Sequence, residues 1–313
     1  MTDLHVAVPG PERTGSGEDN EPMTAPVGNR SPAFHATDAT SDLEWDDEAD
    51  VVCTDAGLPG LSTAICAVDE GVEVFVAGAP DTTAGATRQR WFTLETNDTA
   101  TAAYLADLTA DLDVEALAHR DDDLPTRWVR EPADLPGRKI APFVGSRLRD
   151  WSAECIASPS GYLYTRVTDW TSSAMESGDG EAFEVTEIGS MTLGPGDDAG
   201  SVRDWLSAEA HMRGVRVYRE MRFERLVFEA GQVIGAVFAT SDGPYAVRAR
   251  HGVLVCRACS PAGGGIGGSD GAVLRVALVS KAGSRFGRVE LLTADPAVAS
   301  ASESATAATT PRS

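Results

Sequence analysis

The sequence is short of basic residues and has no long apolar run. Only 26 lysines and arginines stand against 48 aspartates and glutamates, which gives a net charge of −22 over 313 residues. A surface this acidic does not neutralise phosphates, so we expect neither nucleic acid nor an anionic membrane as a partner. No window approaches the roughly 18 consecutive apolar residues of a transmembrane helix, so we expect no membrane span.

Cysteines are also few, and they do not form an obvious framework. Their odd number in a long chain is typical of a reducing compartment, so we expect a cytoplasmic protein. Cys256 and Cys259 have the spacing of a redox pair or of half a zinc site, and two buried small residues after a core strand are the alternative. Since no second cluster of cysteine or histidine completes a zinc site, no metal is expected. The five cysteines are Cys53, Cys66, Cys155, Cys256 and Cys259.

Hydrophobic residues make up 42% of the chain, which is enough for an ordinary core, but both ends lack large apolar side chains. The first 50 residues hold twelve acids and two bases among many Pro, Gly, Ser and Thr. Such a segment buries too little surface to offset chain entropy, so residues 1–46 are predicted to be a disordered acidic arm. They show no basic segment followed by an apolar one, so we expect no secretory signal. The Ala/Ser/Thr-rich residues 293–313 are predicted to be a disordered tail.

A strand, turn, helix and strand follow one another at the start of the part expected to fold. The apolar run 51–54 predicts a strand, 55–60 a turn, 61–68 a helix and 72–77 a second strand. This βαβ order predicts a parallel sheet with a right-handed crossover. The helix N-terminus after such a turn suits a pyrophosphate, because backbone N–H groups and the positive end of the helix dipole point towards it.

The glycines of this turn follow part of the dinucleotide-binding pattern. That pattern is G-x-G-x-x-G, with an acid at the end of the second strand. Gly57 and Gly60 hold the second and third glycine positions, Asp55 replaces the first, and Gly78 replaces the acid. A βαβ turn that binds no phosphate is the alternative interpretation. The residues predicted to contact a dinucleotide here are Asp55, Ala56, Gly57, Leu58, Pro59, Gly60 and Gly78.

A second group of elements is predicted further along the chain. Capping-box spacing at 201–204 predicts a helix that ends at Gly214. Strands are then expected at 215–218, 223–228, 233–238, 245–250 and 252–256, the middle three as an antiparallel meander. Between the two groups, a helix is predicted at 99–112 and an extended, proline-rich loop at 124–143. The glycine run 263–268 is predicted to be a flexible linker before a helix from 269 to 282.

The two groups, in this order, resemble the FAD-binding halves of the fumarate reductase / 3-ketosteroid dehydrogenase group of FAD-dependent oxidoreductases. The resemblance covers roughly 49–78 and 201–259 and implies a shortened, degenerate member of that group. It implies an α/β fold in which a Rossmann-like FAD-binding domain lies in two sequence segments, 47–85 and 195–292. An inserted α+β segment, 86–194, would then serve the substrate. The residues that carry it in the second half are Arg213-Gly214-Val215, Arg222-Phe223-Glu224-Arg225-Leu226, Gly231–Val237 and Ala249–Val255.

The resemblance also implies a cofactor and a reaction. The turn 55–60 would meet the FAD pyrophosphate, Phe223 would offer a backbone contact to the adenine, and Cys256 and Arg257 would lie beside the flavin. The implied function is a dehydrogenase or reductase acting on a small apolar or steroid-like substrate, as a homo- or hetero-oligomer or alone. A non-catalytic relative that serves as a binding or partner subunit is one alternative. A nucleotide-binding protein without redox activity is another.

Candidate catalytic residues lie in the segment 158–166. Tyr162 and Tyr164 have the hydroxyls needed to polarise a ketone, and Arg166 is the residue type that donates the proton in fumarate reductases. A strand with both tyrosines on one face and Arg166 beyond them is the alternative.

Overall fold

The computed structural model describes residues 43–79, 92, 96–114, 117, 124–130, 145–166, 171–194, 196–256, 266 and 271–300. The predictions for Arg257, Cys259 and most of the acidic arm and glycine run lie outside these residues. The described elements are β1 (Asp47–Cys53), α1 (Leu58–Asp69), β2 (Val74–Gly78), α2 (Thr99–Leu108), β3 (Thr126–Arg130), α3 (Gly145–Ala157), β4 (Gly161–Tyr164), β5 (Ser173–Ser177), β6 (Ala182–Thr192), α4 (Ala199–Met212), β7 (Val217–Arg219), β8 (Arg222–Glu229), β9 (Gln232–Thr240), β10 (Gly243–Val255), β11 (Val273–Ser280) and β12 (Phe286–Thr293).

The predicted βαβ unit is present. Strands β1 and β2 pair in parallel with α1 between them in sequence, and β10 and β7 extend the parallel pairing to the order β10-β1-β2-β7. Helix α1 is buried from Pro59 to Ala67, because its residues are small or apolar on every face and α4 covers it. Burial of a helix on all sides is what an all-round apolar sequence predicts. The carboxyl ends of these parallel strands therefore lie at one edge of the sheet.

The predicted meander is also present, with one difference. β8, β9 and β10 pair antiparallel, as expected. However, the two strands predicted at 245–250 and 252–256 are one strand, β10, which pairs with β9 through its first half and with β4 through its last residues. Gly252 has a φ of +150°, and the pairing with β1 shifts register between Ala49 and Val51. The glycine thus lets a single strand bend and serve both parts of the sheet.

Five strands pair in a closed ring that the sequence did not predict. Their order is β12-β3-β5-β6-β11 and back to β12, parallel only between β3 and β12. Three of these strands come from the predicted inserted segment and two from the predicted second FAD segment. The helix expected from 269 to 282 was wrong, since Val273–Ser280 is strand β11. Leu274, Val276 and Leu278 point to one core and Ala277 and Val279 to another, so a nearly continuous apolar run fits a strand buried on both faces.

The ordered chain reaches past both predicted ends. Asp46 donates its backbone N–H to the carbonyl of Ala246 at 2.9 Å, and Trp45 lies so close to Gly235 that a Cβ there would come within 2.7 Å of its ring. At the other end, Thr293 belongs to β12, and Val298 and Ala299 are buried. These contacts place residues 43–46 and 293–300 within the described fold.

Two further predicted helices are present, and one of them begins earlier than predicted. α2 confirms the helix expected near 99–112. α4 begins earlier than predicted, because Asp198 is the N-cap and Ser201 is its partner in the capping box, whereas Ser201 was expected to be the cap itself. Gly214 has a φ of +76° just after α4, as a C-terminal glycine requires. None of the helices in the described ranges is long and apolar enough to cross a membrane.

Candidate functional site

The carboxyl ends of β1 and β10 are joined directly in front of the helix α1. The backbone N–H of Thr54 donates to the carbonyl of Leu254 at 3.0 Å. The Thr54 hydroxyl donates to the carbonyl of Cys256 and accepts from the Cys256 N–H, each at 2.9 Å. The turn that leads from β1 into α1 is therefore held against the end of β10.

Gly60 is the position at which this turn allows no side chain. A Cβ there would lie 1.9 Å from the carbonyl oxygen of Asp55 and 3.4 Å from Sγ of Cys256. Since a Cβ does not approach another atom to 1.9 Å, the first turn of α1 packs against the backbone of the preceding turn only because residue 60 is glycine. This is the close packing expected of the third glycine of a dinucleotide-binding turn.

The N-terminus of α1 is arranged like a phosphate-binding helix end. Gly57 is the N-cap with extended backbone (φ −72°, ψ −177°), no side chain caps the helix, and Pro59 lies in its first turn. The N–H groups of a first turn have no partner within the helix. The backbone N–H groups of Leu58 and Gly60 are therefore directed out of the N-terminal end of α1. Ala56 and Leu58 are half-buried, while Asp55 is buried. Among the described non-glycine residues, only Glu220 and Ala230 have positive φ, so the backbone of the turn accepts Asp55 without strain.

Cys256 is a buried thiol and not a reactive thiolate. Burial raises its pKa well above the usual value, and the neighbouring Cys53 and Asp55 raise it further. Its Sγ donates to the carbonyl of Asp55 at 3.3 Å. Burial likewise raises the pKa of Cys66 to about 12. At neutral pH these thiols stay protonated and serve packing, and the described residues hold no group of three or more potential metal ligands.

Gly78, which stands at the predicted position of the ribose-binding acid, lies one strand further along the same edge. Gly78 ends β2, is buried, and pairs with Arg219 of β7. Its carbonyl accepts the N–H of Met221 at 3.0 Å. Phe223, two residues beyond Met221, is half-buried in β8 with its ring edge-on to that of Phe238. The structure thus brings the turn 55–60 and Cys256 together, with Gly78 and the start of β8 two strands away from β10.

The three predicted catalytic residues do not share one site. Tyr162 and Tyr164 lie on the same face of β4, as the alternative interpretation expected, and both belong to the core under α1. Burial raises the pKa of each hydroxyl well above its usual value. Arg166 instead donates to the backbone carbonyls of Arg250 (3.3 Å) and Val233 (3.5 Å) in the meander. Their catalytic role stays a prediction, and their packing role is what the geometry displays.

Two acidic residues with unusual surroundings were missed by sequence reasoning. Glu290 is fully buried in β12 and paired with Arg127 and Arg288. Its only signal in the sequence is the alternation of charged residues with apolar ones along 286–292. Glu220 has left-handed backbone in the turn between β7 and β8, with φ of +60°, and nothing in the sequence indicates that conformation.

Comparison with known proteins gives distant structural likenesses only. The sequence matches no known protein family, and no curated protein matches it either. The 3-ketosteroid-delta4-(5alpha)-dehydrogenase of Rhodococcus jostii RHA1 is 20% identical over 69% of this chain and 47% of its own, with a TM-score of 0.31. Aklavinone-11 hydroxylase, solved with FAD and aklavinone, is 21% identical over 66% of this chain and 32% of its own, with a TM-score of 0.25.

A flavocytochrome c3 fumarate reductase is 15% identical over 66% of this chain and 33% of its own, with a TM-score of 0.28. The chain spans less than half the length of each of these three structures. Likenesses this distant assign neither a ligand nor an activity to the chain.

Proposed function

We propose that the chain is an FAD-dependent oxidoreductase whose site lies at the carboxyl ends of β1, β2 and β10. The observation that carries the proposal is Gly60, since a Cβ there would lie 1.9 Å from the Asp55 carbonyl. A turn packed this tightly brings the N–H groups of α1 to the end of β1, where the pyrophosphate of a dinucleotide binds in a βαβ unit. The residues present fit that group in backbone geometry.

The proposed roles follow from placement along the strand ends. The N–H groups of Leu58 and Gly60 hold the pyrophosphate, and the backbone of Phe223 meets the adenine. Cys256, just after the end of β10, is proposed to lie on the flavin side, and the role proposed for Arg257, which is outside the described residues, rests on the sequence resemblance alone. FAD supplies the capacity to accept or deliver a hydride. The chain binds and orients the FAD. Because Cys256 is buried and protonated, it adds no negative charge beside the flavin ring.

The substrate class is part of the same proposal. A small apolar or steroid-like molecule follows from the sequence resemblance to the ketosteroid dehydrogenase group. The acidic net charge of −22 supports a small-molecule substrate over nucleic acid or membrane, and the scattered cysteines support a cytoplasmic location. Tyr162, Tyr164 and Arg166 remain the proposed catalytic residues, and a homo- or hetero-oligomer remains a proposed assembly.

One set of observations favours a second candidate, a non-catalytic relative that acts as a binding or partner subunit. Tyr162 and Tyr164 are 7% and 4% exposed, which is the burial expected of core residues in a relative without catalytic activity. Asp55 and Gly78 stand where a dinucleotide site normally has a glycine and an acid. Such a protein could keep the fold while losing the reaction.

A flavin titration separates the two candidates. Purified protein is stripped of ligand and titrated with FAD, with flavin fluorescence and the shift of the flavin absorption bands as readouts. The enzyme proposal expects stoichiometric binding and reduction of the bound flavin by an added steroid or by a chemical reductant. Protein that binds no FAD would contradict the enzyme proposal. Protein that binds FAD but gives no turnover across a panel of apolar ketones and enones would favour the non-catalytic relative.

A further inference from the structure

The end of β2 lacks the acid that normally holds the adenosine ribose, because Gly78 stands in its place. A Cβ at Gly78 would lie 3.0 Å from Cγ1 of Val217, 3.5 Å from the Tyr218 carbonyl oxygen and 3.8 Å from Cα of Arg219. A side chain at residue 78 would need the Val217 methyl to shift by a few tenths of an ångström, and the native residue, glycine, offers no acceptor. A ribose bound at this edge needs its acceptor from another residue.

Glu220 lies beside this gap. It directly follows Arg219, which pairs with Gly78, and directly precedes Met221, whose N–H donates to the Gly78 carbonyl at 3.0 Å. Its backbone has a φ of +60°, which costs a residue with a Cβ roughly 1–2 kcal/mol and costs glycine nothing. Backbone strain at a residue with a polar side chain motivates a search for a function of that side chain.

The Glu220 carboxylate is also available. The residue is exposed, and within the described part of the chain it forms no hydrogen bond or ion pair, although Arg219 and Arg222 flank it in sequence. An ionised carboxylate can accept two hydrogen bonds, which is what a ribose cis-diol donates. Ala230, between β8 and β9, is the other described non-glycine residue with a positive φ (+48°). Unlike Glu220, it has no polar side chain that could accept a hydrogen bond.

We propose that Glu220 replaces the missing strand-end acid and accepts hydrogen bonds from the 2′- and 3′-hydroxyls of an adenosine ribose. This inference rests on the proposed function, since the adenosine is that of FAD. The acid then lies in the turn after β7, between the two residues that pair with Gly78, instead of at the end of β2.

The test uses two ligands and three variants of the full chain. FAD and ADP are titrated against the native protein, Glu220→Gln, Glu220→Gly and the control Ala230→Gly, and thermal unfolding is measured on the same preparations. We expect Glu220→Gln to weaken both ligands by about tenfold or more with unchanged stability, because a charged acceptor is lost. Glu220→Gly should weaken them equally while raising the melting temperature. Ala230→Gly should raise the melting temperature and leave both affinities unchanged.

A ribose analogue makes the test specific to the hydroxyls. The native protein should bind ADP more tightly than 2′-deoxy-ADP, and Glu220→Gln should bind the two equally. If the Glu220 variants bind FAD and ADP as tightly as the native protein does, the ribose role is wrong while FAD binding stands. If ADP binds through Glu220 but FAD does not bind, the flavin proposal fails and the ribose role stands. If neither FAD nor ADP binds to the native protein, both the flavin proposal and the ribose role are overturned.

Discussion

Arg127 and Glu290 form a two-point ion pair between β3 and β12. Nε of Arg127 lies 2.6 Å from Oε2 of Glu290, and its Nη2 lies 2.8 Å from Oε1. The same Oε1 accepts from Nε of Arg288 at 2.6 Å. Both guanidinium groups also lie over aromatic rings, Arg127 over Phe183 at 4.1 Å and Arg288 over Trp151 at 5.0 Å. One fully buried carboxylate thus pairs with two guanidinium groups, and Arg288 has a second carboxylate partner in Glu154 at 3.5 Å.

Replacing this carboxylate should be costly. In Glu290→Gln the partly buried Arg127 loses its hydrogen-bonded carboxylate and the buried Arg288 keeps only Glu154, so we expect the free energy of unfolding to fall by about 3–5 kcal/mol. Glu187→Gln is the matched control, because Glu187 pairs with Arg275 at 3.2 Å on the exposed surface of the neighbouring strands. An exposed pair contributes only about 0–1 kcal/mol. Urea unfolding of both variants measures the difference, and equal losses would contradict the buried role of Glu290.

The same group should make stability depend on pH. Burial opposes ionisation of Glu290, but Arg288 and Arg127 outweigh it and hold the pKa of the carboxyl below its usual value. A lowered folded pKa means that the stabilisation is complete above the unfolded pKa of about 4.3 and is lost as pH falls through the folded pKa. Unfolding free energies measured across this acidic range should therefore drop more steeply for the native protein than for Glu290→Gln. Parallel curves would show that Glu290 does not carry the effect.

Two glycines give a matched test of the dinucleotide turn. Gly60→Ala places a Cβ against the Asp55 carbonyl, and Gly287→Ala places one 2.4 Å from the ring of Tyr162, in β12 and outside the turn 55–60. Both should destabilise the fold, by roughly 1–3 kcal/mol, through overpacking. We expect only Gly60→Ala to lower FAD affinity, because it pushes the N–H groups of α1 away from the strand ends. A Gly60→Ala protein with native FAD affinity would place the pyrophosphate elsewhere.

Asp55 should limit FAD affinity through its charge. We expect Asp55→Gly to bind FAD more tightly, since it removes a negative charge and a side chain from the turn that faces the pyrophosphate. Asp55→Asn separates the two effects, because it removes the charge and keeps the size. A gain in both variants assigns the effect to charge, and a gain in the glycine variant alone assigns it to crowding. Equal or weaker binding in both variants, measured by fluorescence titration, would indicate that the turn does not face a phosphate.

Elements whose structure depends on a local sequence pattern were predicted correctly. The βαβ unit at 51–77 and the meander at 222–255 follow from alternation, glycine spacing and turn residues that lie close together in the chain. The turn 55–60 was found in the same way, because the need for glycine at residue 60 is a local property. Helix α2 was predicted by its apolar spacing.

What the sequence did not predict depends on distant pairings. The five-residue strand β3 lies in a proline-rich stretch expected to be a loop, and it becomes a strand by pairing with β12. The apolar residues of Val273–Ser280 fit a helix as well as a strand. The segment is a strand because it pairs with β6 on one side and β12 on the other. The surroundings of Glu290 and the backbone of Glu220 exist only after folding, so neither could be recognised as special beforehand.

The bond between Thr54 and Cys256 joins residues 202 positions apart in the chain. During synthesis the βαβ unit is therefore made long before β10. Until β10 is synthesised, the edge of β1 that pairs with it has unpaired backbone N–H and C=O groups. An unpaired edge of this kind is where nascent chains associate wrongly. Asp47, Glu48 and Asp50 place three acidic side chains on this strand, and charged side chains on an unpaired strand oppose association between chains.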